Sequence, residues 1–251
     1  MTVVVAYKYA ANPQDASVGA DGVVDWSRAK AAVSEYDPVA VQLARTVAGD
    51  SEVVGISVGT AAIASSMAKK SAMSKGLDRG VVVADDATQG WNATQTAAAL
   101  AGLVGRIDGA DLLVTGDSSI DDGARMMSAL TAGFLGWPCF QEVTAVEKTA
   151  DGYALTQAIT GGTRTISVTG PVVVAATSDA VPVKVPSMKE ILAAGKKPVE
   201  VVSVEDVAPV EIGVTVTGRS KPAPKARKNQ VFTGESAVAD LVAALRTNGI
   251  L

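Results

Sequence analysis

Side chains able to do chemistry gather in one short stretch, GDSSIDDGAR, where Gly116, Asp117, Ser118, Ser119, Asp121, Asp122, Gly123 and Arg125 join a Val/Leu run to a helix-like one. Small and polar residues at such a junction suit a nucleotide, because a helix start directs free N–H groups and a partial positive charge at an anion. This reading puts Arg125 in the first helical turn, where a cation disfavours the helix and a bound phosphate would offset that cost. The same residues have a purely structural reading: Ser119, Asp121 or Asp122 caps the helix, Gly123 loosens its start, and the carboxylates repel phosphate. Two other loops follow apolar runs in the same way, Tyr7 to Asn12 and Ser57-Val58-Gly59-Thr60.

Much other chemistry is excluded. The chain has no His, so it has no Ser-His-Asp or Cys-His relay and no His-ligated zinc. No Walker A sequence, no GxGxxG after a strand and no metal-spaced Cys/His cluster occurs. The single Cys, Cys139, has no second thiol to pair with and reads as a small apolar core residue beside Trp137-Pro138.

The elements that must position the 116–125 stretch follow from hydrophobic pattern. Of 251 residues 48% are hydrophobic but only 4% aromatic, which suits a core of small branched side chains in a helix-covered parallel sheet. Apolar runs predict strands near 2–7, 52–58, 80–84 and 111–115, buried on both faces, with helices near 38–48, 61–75, 93–107 and 123–135 between them. Helix starts are marked by Asp37 before Pro38, by Thr60 and by Asn92. From about 141 to 168 the pattern alternates, with turns at Asp151-Gly152 and Gly161-Gly162, which predicts an antiparallel meander before a buried strand at 172–176. Ser187 caps a short helix that Gly195 and Pro198 end, and PVEVVSV gives a last strand. The fold class is therefore α/β: a doubly wound, mostly parallel sheet with an antiparallel meander, over 1–206. Residues 207–251 read as an extended C-terminal arm, with a basic run from Arg219 to Lys228 and an amphipathic helix at about 236–247.

A net charge of −4 and a basic run without interleaved aromatics argue against nucleic acid as a partner. No apolar stretch approaches the roughly 20 residues of a membrane span. MTVVVAYK has no basic, long-apolar or cleavage-site pattern of a signal peptide, so a cytoplasmic location is expected.

Five segments in this order carry a family resemblance: AYKYAANPQD, YDPVAVQLA, SVG, ADLLVTGDSSIDD followed by TAGFLGWP, and VPSMKEILAAGKKPVEV. Together they resemble the β subunit of electron-transfer flavoprotein nearly end to end. ADGVVDWSRAKAAVSEYD, the paired serines at 118 and 119 and PSMKEILAAGKKPV most resemble its Fix-type branch, associated with carnitine reduction and nitrogen fixation. The resemblance implies an adenine nucleotide α hydrolase-like fold and a heterodimer with an α subunit that holds most of the FAD and on which the 207–251 arm and helix pack. Such a dimer shuttles electrons between a flavin-dependent, acyl-CoA-type dehydrogenase and a quinone oxidoreductase or ferredoxin-type acceptor, as a carrier and not as an enzyme.

It further implies AMP, or in bifurcating relatives a second FAD, in a β-subunit crevice. Carried onto this sequence the crevice is Ala6, Asp37-Pro38-Val39-Ala40, Val58, and Gly116, Ser118, Ser119, Asp121, Asp122, Gly123, Arg125, Met126 and Met127. Arg125-Met126-Met127 stands where the family commonly has Asn-Gln-Thr. PSMKEILAAGKK matches the family's recognition loop, with Met188 at the apolar anchor and Ile191 and Leu192 beside it. The same three residues at i, i+3 and i+4 also read as one buried helix stripe. Two other functions stay open here, a bifurcating β subunit and a free-standing adenine-nucleotide-binding sensor domain of the same fold.

Overall fold

The structure, a computed structural model, describes residues 2–207, 217 and 222–251. The chain divides into two compact units, 1–216 and 217–251. In chain order the first unit runs β1 (Thr2–Ala6), β2 (Tyr9–Ala11), β3 (Ser17–Val18), β4 (Val24–Asp25), β5 (Ala31–Val33), α1 (Asp37–Ala48), β6 (Val53–Gly59), α2 (Ser66–Met73), β7 (Arg79–Ala84), α3 (Ala93–Gly105) and β8 (Ala110–Gly116). It continues through α4 (Met127–Leu135), β9 (Cys139–Lys148), β10 (Gly152–Ile159), β11 (Gly162–Thr169), β12 (Val172–Ala176), α5 (Met188–Ala194) and β13 (Val199–Val201). The second unit contains α6 (Ala237–Thr247), none of whose residues is buried.

Nine strands form one sheet in the order β11-β10-β9-β12-β8-β1-β6-β7-β13. Every pairing from β9 to β13 across that order is parallel, and β10 and β11 add the antiparallel meander at one edge. The strands alternate their side chains between two apolar layers. Val3, Val5, Val53, Val82 and Leu112 pack with Val39, Leu43 and Met73 on one face. Val4, Val54, Ile56, Val83 and Leu113 pack with Leu100, Leu103 and Val104 on the other. Burial on both faces is why these runs are apolar throughout. The mostly parallel, helix-covered architecture and the meander agree with the sequence reading, including the turns at Gly152 and Gly161, where φ is +158° and +86°.

Several boundaries differ for local reasons. Asp37 does not cap α1: Tyr36 takes that position, and the Asp37 carboxylate turns back to accept a bond from the Lys8 N–H. Thr60 makes no capping bond. Residues Ala61–Ala64 form a 3₁₀ turn, and the Ser65 hydroxyl caps the shorter α2 instead. The helix expected from 123 begins only at Met127, because Gly123 at φ +61° and Arg125 at φ +52° are left-handed and cannot lie in a right-handed helix. Ser119, Asp121 and Asp122 therefore do not cap it, and Arg125 is not in its first turn. The two small ribbons, β2 with β5 and β3 with β4, had no counterpart in the sequence reading. Among the described residues, no helix is long and apolar enough to cross a membrane.

Candidate functional site

Strand order reverses at β1. The chain steps outward from β1 through β6 to β7, then returns to lay β8 against the other side of β1. Loops leaving β1 and β8 must diverge there, and the space between them at the carboxyl ends of the strands is where doubly wound sheets bind ligands. A cavity of about 250 Å³ occupies that place. Its floor is Ala6 from β1, Val58 from β6 and Thr115 and Gly116 from β8. Gly116 is required by a close approach: a Cβ there would stand 2.8 Å from Tyr36 Cβ and 2.9 Å from Asp37 Oδ1.

One wall is the start of α1. Asp37 is only 5% exposed, and its Oδ2 accepts a 2.7 Å hydrogen bond from the Lys8 N–H. Burial pushes its carboxyl up to about 8, against the pull of the Lys8 N–H and ammonium, and the charge of Asp121 adds to the rise. Lys8 Nζ lies 2.6 Å from Asp121 and 3.1 Å from Asp122, so this cation already has two carboxylate partners. Although burial opposes the Lys8 charge, these carboxylates hold its ammonium above the ordinary value. Burial opposes the charge of Asp121 too, but Lys8, Ser119 and the Asp122 N–H together keep that carboxyl low.

The other wall is the 117–127 loop and the start of α4. Arg125 is committed as well, its Nη2 bonding both Asp117 and Glu142, the latter at 2.5 Å. Glu142 sits at a bulge in β9 with φ +55°, and neighbouring Gln141 donates to the Arg125 carbonyl at 2.9 Å and to Ser128 Oγ at 3.2 Å. Left-handed backbone at two non-glycine residues marks a loop held by side-chain pairing rather than by local preference. The first turn of α4 carries no side-chain cap, which leaves its leading N–H groups free beside the cavity.

Of the residues read from sequence, Ala6, Asp37, Val58, Gly116, Ser118, Ser119, Asp122, Arg125, Met126 and Met127 line this cavity. Asp121 holds Lys8, and Gly123 turns the loop. Pro38, Val39 and Ala40 do not line it; they are buried in α1, where Val39 and Ala40 belong to the core. Sequence reasoning missed Lys8, Trp91 and Thr96, which line the cavity, and Glu142, which anchors its loop. Lys8 lay inside the flagged 7–12 loop, whereas nothing in the sequence around Glu142 announces a left-handed residue.

The 188–192 segment is displayed. Met188 is 72% and Leu192 60% exposed, Ile191 is partly covered and Ala194 is the buried residue, so the three do not form one buried stripe. Ser187 caps α5 as expected, and Glu190 accepts the Ser187 N–H in return, which completes a capping box. Cys139 is half-buried against the second apolar layer, and burial raises its thiol.

Residues 21–207 match the family described as the electron transfer flavoprotein domain, a span that holds most of the sheet, α1 and α4 around the cavity, and α5. The chain belongs to the electron transfer flavoprotein domain family.

Proposed function

We propose that this chain is the β-type subunit of a Fix-type electron-transfer flavoprotein, with an adenine nucleotide in the crevice between β1 and β8. Family membership itself gives a role in flavoprotein electron transfer, FAD or AMP as the family's ligands, and a heterodimeric partner. The observation that carries the finer reading is the cavity at the strand-order reversal, flanked by the uncapped start of α4. Its floor of small side chains and the close approach at Gly116 fit a base and sugar lying against backbone. A volume of about 250 Å³ is below the roughly 300–1,000 Å³ of drug-sized ligand sites, which favours a mononucleotide over a second FAD.

With Lys8 and Arg125 each held by two carboxylates, the phosphate is bound chiefly by the N–H groups that open α4. The chain is then a scaffold. A flavin held mainly by the α-type subunit supplies the redox chemistry, and this subunit supplies orientation and a docking surface. Met188 and Leu192 on α5 present that surface to a flavin-dependent dehydrogenase, with a quinone oxidoreductase or ferredoxin-type protein as acceptor. Co-expression with an α-type partner chain, followed by acid extraction and nucleotide analysis, tests the reading. One FAD and one AMP per heterodimer are expected. Two FAD and no AMP would replace it with a bifurcating subunit, and a colourless chain that elutes alone would overturn it.

A further inference from the structure

A second cavity, of about 280 Å³, lies between the last turn of α1, the turn after α2 and the 184–197 segment that carries α5. It stands toward the amino-terminal ends of the strands, where Asp78 accepts the Val53 N–H, away from the nucleotide crevice. Its lining is basic: Arg45, Lys75, Lys184 and Lys197 face it, with Glu190 as the carboxylate. The surrounding sequence is basic too, residues 69–78 and 184–197 holding seven lysines against Asp78 and Glu190 in a chain whose net charge is −4.

Two of these four cations are paired with carboxylates, Arg45 with Asp78 and Lys184 with Glu190, and two are left without a compensating charge. Arg45 donates through Nη1 to Asp78 at 3.0 Å and through Nη2 to the Ser51 carbonyl at 2.8 Å, while its Nε is buried with no acceptor. A buried donor without a partner is uncommon in a folded protein. Lys197 Nζ donates to the carbonyls of Met73 at 3.2 Å and Leu77 at 2.5 Å, dipoles that carry no compensating charge. Its ammonium is held below the ordinary lysine value by burial and by Arg45, against the pull of Asp78. Lys184 pairs with Glu190 at 2.6 Å, and Lys75 makes no ion pair with any described residue.

We propose that this cavity is an oxyanion site, taking inorganic phosphate or a phosphate monoester between Arg45 and Lys75 on one side and Lys184 on the other. Such a ligand supplies the negative charge that Lys75 and Lys197 lack. It also bridges the α1 and α2 wall to the segment entering α5, so that occupancy steadies the helix that displays Met188. The site stands apart from the nucleotide crevice and does not depend on it.

Amide hydrogen exchange on the full chain, in inorganic phosphate against chloride at matched ionic strength, tests this. Phosphate is expected to slow exchange in 72–78 and 184–194 along a saturating curve, and Lys75→Met to weaken the apparent affinity by about tenfold or more, the scale of one charge-assisted bond. Lys184→Met serves as the second variant if Lys75→Met is poorly folded. Glycerol phosphate run in parallel distinguishes an esterified from a free phosphoryl group, the tighter probe naming the source. Protection that never saturates, that chloride reproduces, or that both variants retain overturns the site. Protection confined to 117–128 overturns it too, while leaving the crevice reading standing.

Discussion

A carboxyl group at Asp37 meets conflicting demands. Its oxygen is needed to accept the Lys8 N–H, yet burial opposes its charge strongly enough to raise it from 3.8 to about 8. The groups facing it are Lys8 and Asp121 from the loops after β1 and β8, together with the buried Tyr7 phenol. Because the folded pKa lies above the unfolded one, the folded state binds more protons between about pH 4 and 8, and stability falls as pH rises through that window. Asp37→Asn keeps the acceptor and removes the titration. Urea unfolding across this window should show a loss on the order of a few kcal/mol in the parent and a nearly flat profile in the variant. At Arg125 the expected outcome depends on what the guanidinium does. As a loop anchor held by Asp117 and Glu142, its loss in Arg125→Ala and the loss of its partner in Glu142→Gln should both weaken AMP binding. A direct phosphate contact predicts opposite signs, since Glu142→Gln would release the cation toward the ligand. Calorimetry on the two variants decides between them.

At the scale of elements, legibility follows the range of the forces involved. The caps at Asn92 and Ser187 were readable because the groups they bond lie within four residues, and the strands were readable because burial on two faces leaves an unbroken apolar run. The start of α4 was not. Its position is fixed by left-handed backbone at Arg125, which a bulge residue in β9, Glu142, holds from 17 residues away. Nor were the ribbons of residues 9–33, whose strands of two or three residues carry no periodicity. For the site this means that the loop was found and its inner contacts were not. The α5 helix shows what a local signal predicts. Seven residues long, it depends on its capping box, and Ser187→Ala should lower stability by about 1 kcal/mol. Met188→Ala should do the reverse of a core substitution. With its side chain 72% exposed, the melting temperature should barely move, while reduction by the partner dehydrogenase slows roughly tenfold to a hundredfold, the scale of losing one apolar anchor of about 1.5–3 kcal/mol. A large melting shift with normal transfer rates would place its role in folding.

The whole molecule poses a question about its second unit. Among the described residues, the two apolar layers draw their buried members from no further along the chain than Val207. The second unit offers α6, eleven residues with none buried, and exposed Val238, Leu241, Ile250 and Leu251. A helix of that length is marginal in water unless its apolar face is covered. Val210, Ile212, Val214 and Val216, expected from sequence to add to this apolar surface, lie outside the described residues, as do Arg219 and Lys221 of the basic run. The reading in which the arm packs on an α-type partner therefore predicts a clean separation. Truncation after residue 216 should leave both layers intact, with a melting temperature within a few degrees of the parent, the shift that about 1 kcal/mol produces in a domain of this size. Heterodimer formation should be abolished in the same preparation. Size-exclusion chromatography of the truncated chain co-expressed with its partner measures the second effect and thermal unfolding the first. Retained assembly would show that α6 is not the interface. A melting temperature lowered by ten degrees or more would instead mean that the second unit stabilises the first, since the roughly 2–4 °C per kcal/mol of such a domain makes that several kcal/mol of lost packing.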